Sequence, residues 1–358
     1  MTIHVESSTS SSPYRRGQAL GTARRIEIAD TWERYERLFT AYAVPGPVVR
    51  DVADHVLENV TGWAPDLAEE LVGVAAGSAL EPWQVTALNA RSEILARSPR
   101  TPPGECSTIV RLPPVGPPQT LQTWDWQDAM AGNLVVWTLE PRPGRTVKTL
   151  TEPGILGKIG VTDDGIGLHF NLLQHDRDGG AVGVPVHLLA RRVLDEASGL
   201  DEAEQIARSA TVSASVALTV VAYDGAHSSG CVLEVSPAGV ARLEPGPGRT
   251  LLHTNHFLDP VLAAGERLAG EDPDTVARLS ALAQRVEGFD GPSVQRRVAV
   301  LDHHREDGAA LCCHPYGDDP LEGRWQTLAV VGLDLAAGQL AVHEGYACEA
   351  VEESWSTV

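Results

Sequence analysis

Apolar positions recur at three- and four-residue spacing from Gly17 to Ala96. Ile28, Trp32, Tyr35, Leu38 and Phe39 mark one helical face. Val48 to Val60 predicts a second helix after Pro45 and Pro47. Leu67 to Ala76 predicts a third, ended by Gly77, and Pro82 to Leu95 a fourth with Pro82 in its first turn. The Ser/Thr-rich stretch 1–12 reads as poorly ordered at its start. After the Pro/Gly-rich break from Pro99 to Gly104 the pattern changes to short β-rich runs: Cys106–Leu112, Gln119–Trp124, Leu134–Leu139, Thr146–Leu150 and Ile166–Leu173. Helices are predicted at Pro185–Ala197 and Leu200–Ser209. A second β group covers Val216–Tyr223, Gly230–Val235, Val240–Leu243 and Thr250–His253. Helices return at Asp274–Val286 and Ser293–Leu301, and strands close the chain at Trp325–Leu333 and Gln339–Glu344. Two β groups with helices between and after them predict an α+β fold, a four-layer αββα sandwich of mainly antiparallel sheets. The join at 97–105 is short, so the N-terminal helices read as a layer on the sheets rather than a separate domain.

Composition narrows the function classes. The 358 residues allow a large core, and 43% hydrophobic with 21% charged residues is the balance of a soluble globular protein. A net charge of −20 argues against nucleic acid or an anionic membrane as partner, because phosphates would be repelled. The N-terminus has no apolar signal region and no run is long enough for a membrane span, so the expected address is the cytoplasm. Five cysteines, an odd number without metal-like spacing, suggest free thiols, one of them reactive.

Cys106 is the candidate. It stands in Gly104-Glu105-Cys106-Ser107-Thr108, at the head of an apolar run and just after the break. A free thiol is only partly ionised at neutral pH and needs a base nearby. A histidine is the ordinary partner, and twelve are available. An N-terminal cysteine offers another solution: its α-amine titrates at roughly 7.7–8.0 and lies one short side chain from the sulfur. N-terminal threonine enzymes use the same arrangement. Attack of the Cys106 thiol on the Glu105 carbonyl, followed by hydrolysis of the thioester, would expose that amine.

Asp125 lies between Trp124 and Trp126 at a predicted strand end, placed to hold an α-ammonium or align the thiol. Asn255, in His253-Thr254-Asn255-His256, follows a predicted strand and offers an amide N–H to an oxyanion. Taken singly, the first reads as a strand-end cap and the second as a turn former. Asp302-His303-His304 lacks a matching ligand cluster and reads as a solvated helix end, Cys312-Cys313 as buried thiols, and Asp176 to Gly180 as an exposed loop near the pocket. No metal and no cofactor is expected.

Together these segments resemble the acyl-coenzyme A:6-aminopenicillanic acid acyltransferase family, peptidase family C45, within the N-terminal nucleophile hydrolases. The carriers are Pro13-Tyr14-Arg15-Arg16-Gly17, Leu88-Asn89-Ala90-Arg91-Ser92-Glu93, Cys106-Ser107-Thr108, Trp124-Asp125-Trp126, Thr151 to Lys158, Gly165 to Asn171, and His253 to His256. The resemblance implies the αββα fold and self-cleavage between Glu105 and Cys106, giving an α chain of 1–105 and a β chain of 106–358 within one domain. It makes Cys106 the nucleophile with its own amine as base, Asp125 the orienting carboxylate and Asn255 the oxyanion donor. Asn171 is a lesser polar contact. Trp124, Trp126 and Gln127 would line the pocket, with His314 near its rim. Three positions depart from the family pattern: Thr123 replaces an Asn, Glu105 replaces the Gly of the fungal penicillin enzyme, and Leu311-Cys312-Cys313-His314 stands for Ile-Cys-Arg. An Arg would clamp a substrate carboxylate; His does so poorly at neutral pH, which points to a substrate without that carboxylate.

The expected function is cleavage or formation of a small-molecule amide through an acyl-Cys106 thioester. Hydrolysis is favoured, for example of an N-acyl or β-alanyl amide. The alternatives are an acyltransferase that moves an acyl group from a thioester or amide to an amine, and an uncut, non-catalytic binding homologue. The partners implied are a small amide or acyl-thioester substrate, the protein's own α and β chains, and a second copy, with oligomeric state left open.

Overall fold

A strand that the sequence reading does not expect forms within the Ser/Thr-rich stretch 1–12, whose first two residues lie outside the described ones. β1 (His4–Ser8) runs parallel to β4 (Val135–Arg142), with His4 opposite Val135. The computed structural model describes residues 3–100, 106–271, 274–291, 293–315 and 323–358. Glu105, where the sequence reading expects cleavage, lies outside the described residues.

Six helices precede the break: α1 (Pro13–Ala23), α2 (Arg25–Ala41), α3 (Gly46–Trp63), α4 (Pro65–Ser78), α5 (Pro82–Asn89) and α6 (Arg91–Leu95). Ser12 caps α1 by accepting from the Arg15 amide, and Pro13 fills its first turn. α1 and α4 pack at very close range. A Cβ on Gly17 or Gly21 would run into the α4 backbone, and one on Gly73 or Gly77 into that of α1. Glycine is therefore required there by space. The predicted helix 82–95 is divided at Ala90 (φ −100°, ψ 19°). Just before that break, Asn89 is tied down by tertiary bonds: its Nδ2 donates to Gly154 O and its Oδ1 accepts from Leu156 N, both at 2.9 Å.

The rest of the chain builds two sheets. β2 (Ser107–Arg111), β3 (Gln119–Gln127) and β4 are followed by β5 (Arg145–Thr151), β6 (Ile159–Thr162) and β7 (Ile166–Leu173). After α7 (Val186–Glu196) and α8 (Leu200–Ser209) come β8 (Ser215–Tyr223), β9 (Ser228–Ser236), β10 (Gly239–Leu243) and β11 (Thr250–His253). α9 (Leu268–Glu271), α10 (Asp274–Arg285) and α11 (Val294–Arg297) precede β12 (Trp325–Asp334), β13 (Gln339–Glu344) and β14 (Trp355–Thr357). One sheet has eight strands in the order β1-β4-β5-β6-β7-β8-β9-β10, the other six in the order β11-β2-β3-β12-β13-β14. Among the strands of the described residues, every pairing except β1–β4 is antiparallel. The sequence reading misses β1, β6 and β14, and expects one helix over 293–301 where α11 gives way to a 3₁₀ turn.

The sheets stack face to face. β2 lies over β7, and β12 and β13 over β6. α7 and α8 cover the eight-stranded sheet, while α10 and α11 cover the six-stranded one. This is the αββα layering. Strand alternation sorts the side chains. Gln122 reaches across the interior to β7, donating to Phe170 O at 2.6 Å and accepting from its N–H at 3.2 Å. Its neighbour Leu121 faces outward and packs with Leu282 and Phe289.

The helices before residue 100 share the main core with strands beyond 106: Tyr35 and Leu88 cluster with Trp124 and Leu150. Buried charge reinforces that contact. Glu70 of α4 accepts from Arg16 Nε at 2.5 Å and from Arg191 Nη1 of α7 at 2.7 Å. Arg91 of α6 pairs with Glu152 at 2.6 Å. A buried carboxylate with two guanidinium partners is stabilising only while both remain. Among the described residues no helix is long and apolar enough to cross a membrane.

Candidate active site

Cys106 sits at the mouth of β2, against the inner edge of β3, and is 5% exposed. Its Sγ lies 3.6 Å from the Asp125 carbonyl oxygen, to which the thiol donates. Its own carbonyl is gripped from two sides: Asn171 Nδ2 of β7 and Arg278 Nη1 of α10 each donate to it at 3.0 Å. Both sheets and the outer helix layer thus converge on one residue.

Arg278 does more than hold that carbonyl. Nη1 also reaches Ser107 Oγ at 3.2 Å, Nη2 reaches Asn255 Oδ1 at 3.1 Å, and Nε pairs with Asp274 Oδ2 at 2.8 Å. The run at 253–256 positions it. Thr254 Oγ1 donates to Thr275 O and Asn255 N to Thr275 Oγ1, both at 2.9 Å, which fastens the first turn of α10 to the end of β11. Arg278 then projects from the next turn. Only the spacing Asp274-x-x-x-Arg278, one ion pair along a helix, hinted at it in the sequence.

Asp125 is fully buried in β3. Thr123 Oγ1 donates to its Oδ2 at 3.0 Å and accepts from Ser107 N at 3.1 Å. Thr123 therefore links Ser107, the residue after Cys106, to the Asp125 carboxylate. Asn171 Oδ1 accepts from Thr108 Oγ1 at 2.7 Å, which fixes the amide with its NH₂ toward Cys106. Asn255 Nδ2 donates to Leu172 O at 2.9 Å.

Lys158 is the second residue missed as a site member, although it ends the quoted Thr151–Lys158 segment. Its Nζ stands 3.7 Å above the Trp124 ring. Burial pulls its ammonium down to about 7, with Cys106 the strongest opposing influence. Burial pushes the Cys106 thiol up to about 11, against the pull of Lys158. A thiol at about 11 is protonated at neutral pH.

A cleft opens beside these residues. Trp126 and Leu172, the neighbours of Asp125 and Asn171, form one wall, and Ser92, Leu95, Asp178 and Arg267 contribute others. Trp126 Nε1 donates to Tyr35 OH at 2.9 Å, and that hydroxyl donates to Glu152 at 2.5 Å, so the indole is held from behind. Asp178, expected in an exposed loop, accepts from Ser215 Oγ and His175 N, and burial lifts its carboxyl to about 7. Gln127 donates to Tyr42 OH at 3.2 Å rather than lining the cleft. Trp124 lies beneath Lys158. His314 lies beyond the cleft lining, with its Nε2 3.5 Å from Cys312 Sγ and 3.4 Å from Cys348 Sγ. The structure thus brings Cys106, Asp125, Asn171 and Asn255 together, with Trp126 adjacent.

The profile described as acyl-coenzyme A:6-aminopenicillanic acid acyl-transferase matches residues 117–340, a span that holds Asp125, Lys158, Asn171, Asn255 and Arg278. The acyl-coenzyme A:6-aminopenicillanic-acid-acyltransferase 40 kDa form of Emericella nidulans is 30% identical over 260 residues, covering 72% of this chain and 70% of its own length. Among solved structures, penicillin V acylase from Agrobacterium tumefaciens aligns at 16% identity and a TM-score of 0.45, over 67% of this chain and 83% of that one. A variant of conjugated bile acid hydrolase from Clostridium perfringens aligns at 11% identity and a TM-score of 0.47, over 70% of this chain and 92% of that one.

Proposed function

Because the chain belongs to the acyl-coenzyme A:6-aminopenicillanic acid acyl-transferase family, enzymes that make or break carbon–nitrogen acyl bonds, we propose that it matures by cutting itself before Cys106 and then works through an acyl-Cys106 thioester. The observation that carries this reading is the double grip of Asn171 and Arg278 on the Cys106 carbonyl. It pins the backbone of the very residue whose amine and thiol must act together.

In the first step the Cys106 sulfur attacks the Glu105 carbonyl carbon. The peptide bond breaks, the thiol proton passes to the departing α-nitrogen, and a Glu105–Cys106 thioester forms. Water hydrolyses it, leaving a Glu105 carboxylate and a free α-amine on Cys106. In turnover that amine takes the thiol proton as sulfur attacks a substrate amide, then returns it to the leaving amine. Asp125 supplies the negative charge that orients the ammonium form. Asn255 is the oxyanion donor: its Nδ2 now serves the neutral Leu172 carbonyl, and an anionic acceptor would compete for it with a charge-assisted bond.

Water then releases the acyl group, and hydrolysis is the preferred reading because excluding water demands a closed acceptor site. The substrate is a small amide with an apolar acyl group, suited to the wall of Trp126, Leu95 and Leu172. His314 is engaged with Cys312 and Cys348, which supports a substrate lacking the carboxylate an Arg would clamp there. A second reading, acyl transfer to an amine, is favoured by the name of the Emericella nidulans relative. Cytoplasmic residence is part of the proposal.

Intact-mass analysis of the wild-type chain and Cys106→Ala tests it. The wild type should yield two fragments, the larger beginning at Cys106, and hydrolyse acyl-amides; the variant should stay whole and inactive. A wild type that remains full length would instead support the non-catalytic binding alternative. Adding amines to the mature enzyme and identifying the products by mass separates hydrolysis from transfer.

A further inference from the structure

Four side chains outside the candidate active site converge on the outer side of the six-stranded sheet. His304, Cys312, His314 and Cys348 each present one donor atom, and all four atoms lie within 4.8 Å of one another. His314 Nε2 is 3.5 Å from Cys312 Sγ and 3.4 Å from Cys348 Sγ. Zinc bonds of about 2.3 Å to sulfur and 2.0–2.1 Å to nitrogen put the corners of a tetrahedron roughly 3.4–3.8 Å apart. The two measured edges match, and the remaining donor pairs lie within 4.8 Å.

We infer that these residues form a Cys₂His₂ site for zinc. Two thiolates and two imidazoles suit a tetrahedral, borderline-soft cation rather than calcium or magnesium. The ligands are pre-positioned. Cys312 N donates to His303 O at 2.9 Å, and the next residue, Cys313, is bound to β12 through its N–H to Thr327 Oγ1 at 3.0 Å. The His314 ring stacks on Tyr346, centroids 3.9 Å apart, and Tyr346 OH is fixed on Gln326 Oε1 at 2.6 Å. His304 Nδ1 lies 3.8 Å from carboxylate oxygens of Asp302 and Asp307, so negative charge stands beside the ring, where it favours a bound cation. Cys348 is exposed, so the cation has a way in.

Binding would release the two thiol protons to solvent and leave a neutral centre of one Zn²⁺, two thiolates and two imidazoles. Four protein ligands close the coordination sphere, so the role is structural. The zinc would staple the segment 302–314 to the turn at Ala347–Glu349. That segment rests on Thr327, which sits opposite Asp125 in the β3–β12 pairing. The staple would therefore stiffen the outer backing of the candidate active site. The absence of metal expected from the sequence is revised by this arrangement: Cys348 arrives from a separate element, so spacing could not reveal the set.

The test is metal analysis and Co²⁺ titration of the full-length chain under reducing conditions. The expected result is about one zinc per chain, and on substitution a tetrahedral cobalt spectrum with thiolate charge-transfer absorption. Cys348→Ser should lose both, and chelator should lower the melting temperature of the wild type but not of that variant. A reduced wild-type chain giving no tetrahedral cobalt signal overturns the proposal, as does a Cys312–Cys348 disulfide as the stable state of the freshly purified protein. The titration is repeated on Cys106→Ala. Its outcome there does not depend on self-cleavage, so the zinc site and the proposed chemistry fail separately.

Discussion

Arg278 Nη1 donates to the carbonyl oxygen of Cys106 at 3.0 Å, from a helix on the far side of the six-stranded sheet. The same guanidinium reaches Ser107 and Asn255. Lysine keeps the charge but cannot reproduce a planar fork with several fixed donors. Arg278→Lys should leave the chain folded, by circular dichroism, and slow acylation by about tenfold or more. Acylation at the wild-type rate would remove Arg278 from the site.

Thr123 passes a hydrogen bond from the Ser107 amide to the Asp125 carboxylate. Thr123→Val keeps the shape and deletes the link. Self-cleavage followed by mass over time should slow by roughly tenfold, about the effect of one lost hydrogen bond to a charged group. Thr123→Asn, which installs the residue typical of the family, should restore most of the rate.

Lys158 opposes the burial that holds the Cys106 thiol near 11. Removing the cation raises the thiol further, so Lys158→Met should slow alkylation of Cys106. A change of one pKa unit corresponds to about tenfold less thiolate. The readout is the alkylated peptide by mass spectrometry. An unchanged rate would show that the ammonium does not influence the sulfur.

Glu93 is buried, and burial lifts its carboxyl from 4.5 to about 7. The folded chain thus holds a proton that the unfolded chain gives up at lower pH. The stability tied to that proton is complete below about pH 4.5 and is lost as pH rises through about 7. Glu93→Gln keeps the acceptor for Val186 N, now 2.8 Å away, and removes the titration. It should raise the melting temperature at pH 8 and change it little at pH 5, a gain on the order of 1–3 kcal/mol at the higher pH. Asp178 titrates in the same range, so the pH slope should shrink rather than vanish.

Much of this architecture was legible in the sequence, for reasons visible in particular elements. β7 and β11 begin and end where the apolar runs and turns place them, at Ile166–Leu173 and Thr250–His253. β1 was not legible, because a Ser/Thr-rich edge strand carries no apolar alternation and forms through its backbone pairing with β4. β6 has four residues, too few for a period to emerge. At the candidate site, Cys106 stood out by its place after the Pro/Gly-rich break, while Asp125 stood out only through the family resemblance. Arg278 did not: its role depends on where α10 crosses β2, which only tertiary packing decides. The His304–Cys348 group was hidden for the same reason.

β1 and the Glu70 carboxylate belong to the segment before Cys106, while their partners β4 and Arg191 lie after it. As one chain, the protein folds in a unimolecular reaction. If the link before Cys106 is severed as proposed, the same contacts join two molecules, and unfolding becomes a dissociation. The midpoint of denaturation would then rise with protein concentration, which a single chain does not show. Reassembly from separated pieces would also have to find a parallel edge strand and a buried ion pair by collision. The cut would thus act as a ratchet, converting a reversible fold into a kinetically trapped pair.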